Sequence, residues 1–181
     1  MEIFEGRPEH MNGRLPREQR VYDYLDRIGI SYLRTDHMPV NTMELCHEID
    51  AVLGAVMCKN LFLCNRQKTK YYLLMMPGDK KFKTKELSAQ INSARLSFAD
   101  ADAMLHYLDI EPGAVSVLGL MNDTEHEVQL LIDADVLQGE YICCHPCVCT
   151  SSLKIKTVDI MEKFLPAAGH SYQLVHLIGE D

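Results

Sequence analysis

Apolar positions in this chain fall into short runs cut by polar turns, and their spacing switches repeatedly between helical and extended periods. Pro16 followed by REQRVYDYLDRIG puts Val21, Leu25 and Ile28 on one helical face, with Gly29 as the stop. SYLRTD (31–36) predicts a short strand. NTMELCHEIDAVLG (41–54) predicts a second helix with Asn41 or Thr42 as N-cap and Glu44 in its first turn. Runs 56–64 and 70–76 predict two strands joined by the polar turn Asn65-Arg66-Gln67-Lys68-Thr69. Downstream, helices are predicted over 84–92 and 100–108, and strands over 114–120 and 127–133. One or two strands follow in 141–155, then a short helix from Thr157 or Asp159 to Leu165 and a last strand over 172–178. No repeat, low-complexity tract or linker divides the chain. The interleaving predicts one α/β domain over 1–181, with a mixed central sheet flanked by helices.

One residue interrupts this pattern in a way that suggests chemistry. Lys59 stands inside Val56-Met57-Cys58-Lys59-Asn60-Leu61-Phe62-Leu63-Cys64, a run with the bulk of a strand buried on both faces. Burying an isolated ammonium costs several kcal/mol. The side chain therefore either lines a polar cavity or snorkels out at a strand edge.

Composition narrows the class. At 181 residues with 47% hydrophobic content, the chain is long enough for a sizeable core, and no apolar run approaches a membrane span. The N-terminal MEIFEGRPEHMNGR lacks the pattern of a secretory signal. Seven cysteines, an odd number and mostly within apolar runs, read as reduced thiols, so a cytoplasmic location is expected. A net charge of −8 argues against a protein that coats nucleic acid. Yet Arg66, Lys68, Lys70, Lys80, Lys81, Lys83 and Lys85 face only Asp79 within 66–85, a local balance of +6 that leaves −14 for the rest. That patch is either an ordinary solvated surface or a contact for a few phosphates.

Four segments, taken in order, resemble the YbaK/prolyl-tRNA editing-domain family, in its free-standing branch. HMPVNTMEL (37–45) is similar to the family's His-x-Pro…Thr lead-in to a helix. CKNLFLCN (58–65) followed by KYYLLMMP (70–77) is the clearest match. EPGAVSVLGLMND (111–123) resembles the Pro-Gly…Asn-Asp segment, and CHPCVCTSSLKI (144–155) the His-Pro strand. The matches span residues 20–178, and the domain core is taken as about 16–178. The resemblance implies a mostly antiparallel, partly barrel-like sheet flanked by helices. It implies a hydrolase that removes the amino acid from mischarged tRNA for proline and needs no cofactor or metal. Its partners would be the tRNA acceptor end and prolyl-tRNA synthetase, with no membrane, as a monomer or homodimer.

Carried over residue by residue, Lys59 matches the family's functional lysine. Asn60, His145, Thr42 and Gly113 match substrate-binding positions, and Asn122 and Asp123 stand as further pocket candidates. Val117 and Cys149 occupy positions where the family often has proline and asparagine. Arg66, Lys68, Lys70, Lys80 and Lys81 are the candidate tRNA contacts. The chemistry fits these residue types: an aminoacyl ester is already activated, so hydrolysis needs a placed water, donors for the developing oxyanion and a selective pocket. The resemblance also implies help from the substrate's own ribose hydroxyl. Alanine is the expected side chain, with cysteine, serine or 2-aminobutyrate as alternatives.

Other readings remain at this stage. Asn122-Asp123 has the composition of a plain turn, and Thr42 that of a helix cap. Cys58 and Cys64 read as core packing. Cys144-x-x-Cys147 has the spacing of half a zinc site, although on a continuous strand Cys143, His145, Cys147 and Cys149 would be strung out along one face. A metal-dependent hydrolase on that cluster is the weakest reading. A non-catalytic sensor of an amino acid or charged tRNA is the stronger rival, motivated by Val117 and Cys149.

Overall fold

The computed structural model describes residues 1–180. In chain order the first half runs β1 (Phe4–Glu5), α1 (Pro16–Arg27), β2 (Tyr32–Asp36), α2 (Met43–Leu53), β3 (Cys58–Cys64), β4 (Tyr71–Pro77), α3 (Thr84–Gln90), β5 (Ser97–Phe98) and α4 (Ala101–Leu108). A 3-10 helix (Val117–Asn122), β6 (Val128–Asp133), a second 3-10 helix (Ala134–Gln138), β7 (Tyr141–Cys144) and β8 (Ser151–Lys156) follow. The chain ends with α5 (Thr157–Asp159), a π-helical turn (Ile160–Phe164), α6 (Leu165–Ala168) and β9 (Tyr172–Val175).

Two sheets form, in the orders β1-β2-β8-β7 and β5-β3-β4-β6-β9. The first is antiparallel throughout, and the second adds parallel β4–β6 and β6–β9 pairs to its antiparallel members. Among the described residues the sheets do not close on one another: a single bridge, Met57 to Cys143, joins them, so the expected partly barrel-like closure is replaced by two open sheets.

Period-2 alternation sorts the side chains into layers. Phe62, Leu73, Met75, Leu130 and Ile132 turn into the main core between the sheets, where they meet Ile142, Leu153 and Ile155. Leu63, Tyr72, Leu74, Met76 and Leu131 turn the other way and pack with Leu87 of α3. Ile49 and Leu53 of α2 cover Cys143 on the outer face of the smaller sheet. Burial on both faces explains why β3 and β4 read as nearly continuous apolar runs.

Two expectations change. Segment 114–120 is not a strand: residues 114–116 lead into the 3-10 helix, which takes up 117–120. Ser116 caps that helix by accepting from the Leu118 N–H, and Gly119 packs so closely on Leu108 and Ile110 that a Cβ would stand 2.7 Å from Ile110 Cδ1. A short apolar run does not by itself separate a buried strand from a buried helical turn. Residues 145–150 are a tight connection, because Pro146 has no ladder donor and Cys147 lies in the left-handed region at φ 61°. Cys147 and Cys149 therefore do not share a strand face with Cys143.

Candidate active site

The open end of β3, the start of α2, the 113–115 turn and the beginning of the 145–150 connection surround one hollow of about 260 Å³. Val40, Ile49, Met57 and Val115 form its apolar wall, and Cys46, Cys58, Asn60, Gly113 and His145 the remainder. This size is below the roughly 300–1,000 Å³ of drug-sized ligand sites, and suits a group as small as an amino acid.

Asn60 is held from two sides. Its side-chain oxygen accepts from the Val117 N–H at 3.1 Å, and its amide nitrogen donates to the Cys58 carbonyl at 3.2 Å. The first bond ties β3 to the segment carrying Gly113 and Val115. Gly113 has φ 96°, a conformation that disfavours side chains, and no atom lies within 4 Å of where a Cβ would stand.

His145 donates from Nδ1 to the Ser151 carbonyl at 2.8 Å, which leaves Nε2 as the lone-pair nitrogen. Burial lowers its pKa below the ordinary 6.5, the Ser151 carbonyl opposes that, and nearby His37 adds to it. The ring is therefore neutral at pH 7, an acceptor facing a small cavity. His37 stands 6.1 Å away between ring centres, donating from Nδ1 to the Met38 carbonyl and accepting at Nε2 from the Ser152 hydroxyl, both at 2.8 Å.

A web of charge braces this wall. Ser151 donates its hydroxyl to Asp36 at 2.6 Å, and Arg14 and Arg34 bond the same carboxylate. Burial would raise the Asp36 pKa, but the hydrogen bonds from Arg14, Arg34 and Ser151 outweigh it and hold the carboxyl well below its ordinary range. The Cys58 thiol is pushed up to about 11 by burial and stays protonated at neutral pH, so it is a poor nucleophile. Cys58 packs against the main core, as expected, and also lines the cavity.

Several candidates lie elsewhere. Lys59 alternates with Cys58 and Asn60, and it pairs across the ladder with Met76, on the face covered by α3. Its ammonium donates to the Lys80 carbonyl at 2.7 Å and is not among the groups lining the hollow. Val117 is fully buried, contributing its N–H to Asn60, while Val115 forms the wall in its place. Thr42 is exposed and caps α2 through the Leu45 N–H. Asn122 donates to the Leu108 carbonyl and ties the 3-10 helix to the end of α4, while Asp123 accepts from the Glu127 and Val128 N–H groups beside His170 and holds its own turn. Cys149 is half-buried against the main core, outside the lining.

Burial raises the Cys143 and Cys147 thiols to about 12 each and Cys144 well above its ordinary value. Among the described residues no three His, Cys, Asp or Glu side chains gather closely enough to hold an ion.

The basic segment is divided by the β3–β4 hairpin. Arg66, Lys68 and Lys70 sit at its tip, roughly 20 Å of strand from Cys58. Lys80 and Lys81 follow Pro77, which pairs with Cys58 near the hollow. Lys80 is turned inward: it bonds Asp133 at 2.6 Å and Asp135 at 2.7 Å and is only 12% exposed, a poor placement for a phosphate contact.

The lining residues Val40, Cys46, Ile49, Met57 and Val115, and His37 behind them, were not singled out from sequence. His37 alone carried a signal, as the first residue of the His-x-Pro lead-in. The others are ordinary apolar positions whose role depends on what they face.

The family model for the aminoacyl-tRNA editing domain matches residues 37–163. The prolyl-tRNA editing protein ProX of Acetoanaerobium sticklandii is 32% identical over 160 residues, covering 88% of this chain and 97% of that one. The prolyl-tRNA synthetase associated domain-containing protein 1 of Mus musculus is 31% identical over 152 residues, covering 80% and 88%. Among solved structures, one described as a candidate trans-editing enzyme for prolyl-tRNA synthetase superposes with a TM-score of 0.66 at 14% identity, over 92% of this chain and 99% of that one. At that identity the likeness concerns the fold.

Proposed function

The chain belongs to the aminoacyl-tRNA editing domain family, and from that premise we propose that it hydrolyses the ester between a misplaced amino acid and the terminal adenosine of tRNA for proline, with alanine as the preferred side chain. The observation that carries this reading is the meeting of Asn60, Gly113 and His145, from segments far apart in sequence, around one hollow of amino-acid size.

The aminoacyl side chain lies against Val40, Ile49, Met57 and Val115. His145 Nε2 accepts a hydrogen bond from the substrate's α-amino group, which a protonated ring would repel. Asn60 keeps β3 and the Gly113 turn in register, so that backbone groups there meet the ester. Water adds to the ester carbon, the bond to the ribose oxygen breaks, and that oxygen takes up the proton as the free amino acid departs. The substrate's adjacent hydroxyl helps to orient the water. Lys59, directed to the other face of β3, acts on the nucleotide side of the ester by binding a backbone phosphate near the Lys80 loop.

Selection is steric. One methylene is worth about 1–3 kcal/mol in an apolar pocket, too little for a synthetase to reject alanine completely, so a second, smaller site corrects the error. Val117 and Cys149, the departures that favoured a sensing module, both stand outside the lining, which supports catalysis over sensing.

The test is a deacylation panel: tRNA for proline charged with alanine, serine, cysteine, 2-aminobutyrate or proline, offered to the intact protein and to Lys59→Ala and His145→Ala. Alanine should leave at least about 10-fold faster than proline, and both variants should be impaired. Release of proline as fast as alanine, or no release from any charged tRNA, overturns the reading.

A further inference from the structure

The ammonium of Lys80 has three acceptors: Asp133 at 2.6 Å, Asp135 at 2.7 Å and the Leu177 carbonyl at 2.6 Å. Its side chain is 12% exposed and Asp133 only 1%, so this cation is embedded where β6 ends and the C-terminal segment passes. The same residue's carbonyl accepts the Lys59 ammonium at 2.7 Å. One lysine, anchored at its side-chain end, thus presents the acceptor that holds another.

The C-terminal segment is itself fastened. Gln90 bonds His176 through both backbone groups, at 2.6 and 2.7 Å, and Glu86 accepts from the Ile178 and Gly179 N–H groups. Gly179 lies so close to the 80–81 backbone that a Cβ would stand 2.6 Å from Lys80 Cγ and 3.0 Å from the Lys81 carbonyl oxygen. Its φ of 74° favours glycine as well.

We propose that Lys80, clamped by Asp133, Asp135 and the 176–179 segment, is a positioning residue for Lys59, and that this C-terminal clamp sets where the Lys59 ammonium stands. The functional part rests on the deacylase reading; the geometric part does not. A free lysine side chain samples many rotamers about its four-carbon stem. An acceptor fixed on a triply bonded neighbour removes that freedom before substrate arrives. No basic role of Lys80 toward nucleic acid is then required: its charge is neutralised internally, and its contribution is the location of its carbonyl.

Two variants test this. Gly179→Val drives a side chain against Lys80 Cγ and the Lys81 backbone without deleting any clamp group, and Lys80→Met removes all three ammonium contacts. The first readout is the ε-ammonium resonance of Lys59 in proton–nitrogen NMR, assigned by its loss in Lys59→Arg. It should exchange slowly with water in the intact protein and disappear in both variants. The second readout is kcat/KM on alanyl-tRNA for proline. Gly179→Val should reduce it by about 10- to 100-fold, the scale of an ångström misplacement. In a Lys59→Ala background the same substitution should change it by less than about 2-fold, because its effect passes through Lys59. An unchanged Lys59 resonance in both variants overturns the proposal, as do equal fold losses in the two backgrounds. If the intact protein deacylates no tRNA, the functional reading fails, and the resonance still decides the clamp.

Discussion

Replacing Asn60 with alanine separates the architecture of the hollow from its chemistry. The substitution removes the acceptor of the Val117 N–H, and Val117 is fully buried. A buried donor stripped of its partner costs about 1–3 kcal/mol. The second bond, to the Cys58 carbonyl at 3.2 Å, is lost too, but a carbonyl left with one partner fewer costs less than an orphaned N–H. For a domain of this length each kcal/mol lowers the melting temperature by about 2–4 °C, which gives a fall of roughly 2–12 °C. Urea titration should show the midpoint moving with an unchanged slope, since the unfolded state is the same. Amide exchange adds residue resolution: the Val117 N–H, protected in the intact protein, should exchange faster in Asn60→Ala. Deacylation should decline as well, because Gly113 and Val115 lie on the segment that Asn60 holds. A stability change below about 0.5 kcal/mol together with unaltered Val117 exchange would refute the tie between β3 and the Gly113 segment.

Two further predictions concern charge. The acid limb of kcat/KM should inflect below pH 6.5, because burial favours neutral His145, and His145→Gln should abolish that limb; an inflection above 6.5 would contradict the buried, neutral acceptor. The sign for stability is the same: a lowered histidine pKa contributes stability above 6.5 that is lost as pH falls through the folded-state value. For tRNA binding, the joint reversal Lys81→Glu and Lys85→Glu should weaken affinity and flatten its salt dependence by about one unit of slope per phosphate contact removed. Reversal of Arg66 and Lys70 at the hairpin tip should matter less, if the acceptor end is the main contact; the opposite ranking of the two pairs would move the interface to the hairpin.

Much of the secondary structure was legible because its signals are local. Pro16 at a helix start, Thr42 as a cap, the Asn65–Thr69 turn and the two-faced apolar runs of β3 and β4 all depend on near neighbours. Segment 114–120 misled for the same reason: its apolar run suits a strand or a buried turn equally, and the close seat of Gly119 on Leu108 and Ile110 comes from α4. The matched motifs identified the segments of the site. They did not say which side chain of each segment enters it. Val115 rather than Val117 forms the wall, Asn122 ties the 3-10 helix to α4, and Asp123 serves its own turn.

By itself, then, the sequence determined most of the helices and longer strands, the chemical family and the segments that matter, since periodicity, capping and turn preference act over a few residues. Only the tertiary structure decided that Cys58 and Asn60 meet the hollow while Lys59 points behind it, and that Lys80 is an internal anchor. On a strand successive side chains point to opposite faces, and which face meets a cavity is set by whatever packs against each side. Here those partners are the Gly113 turn, His145, α3 and the C-terminal segment, all distant along the chain.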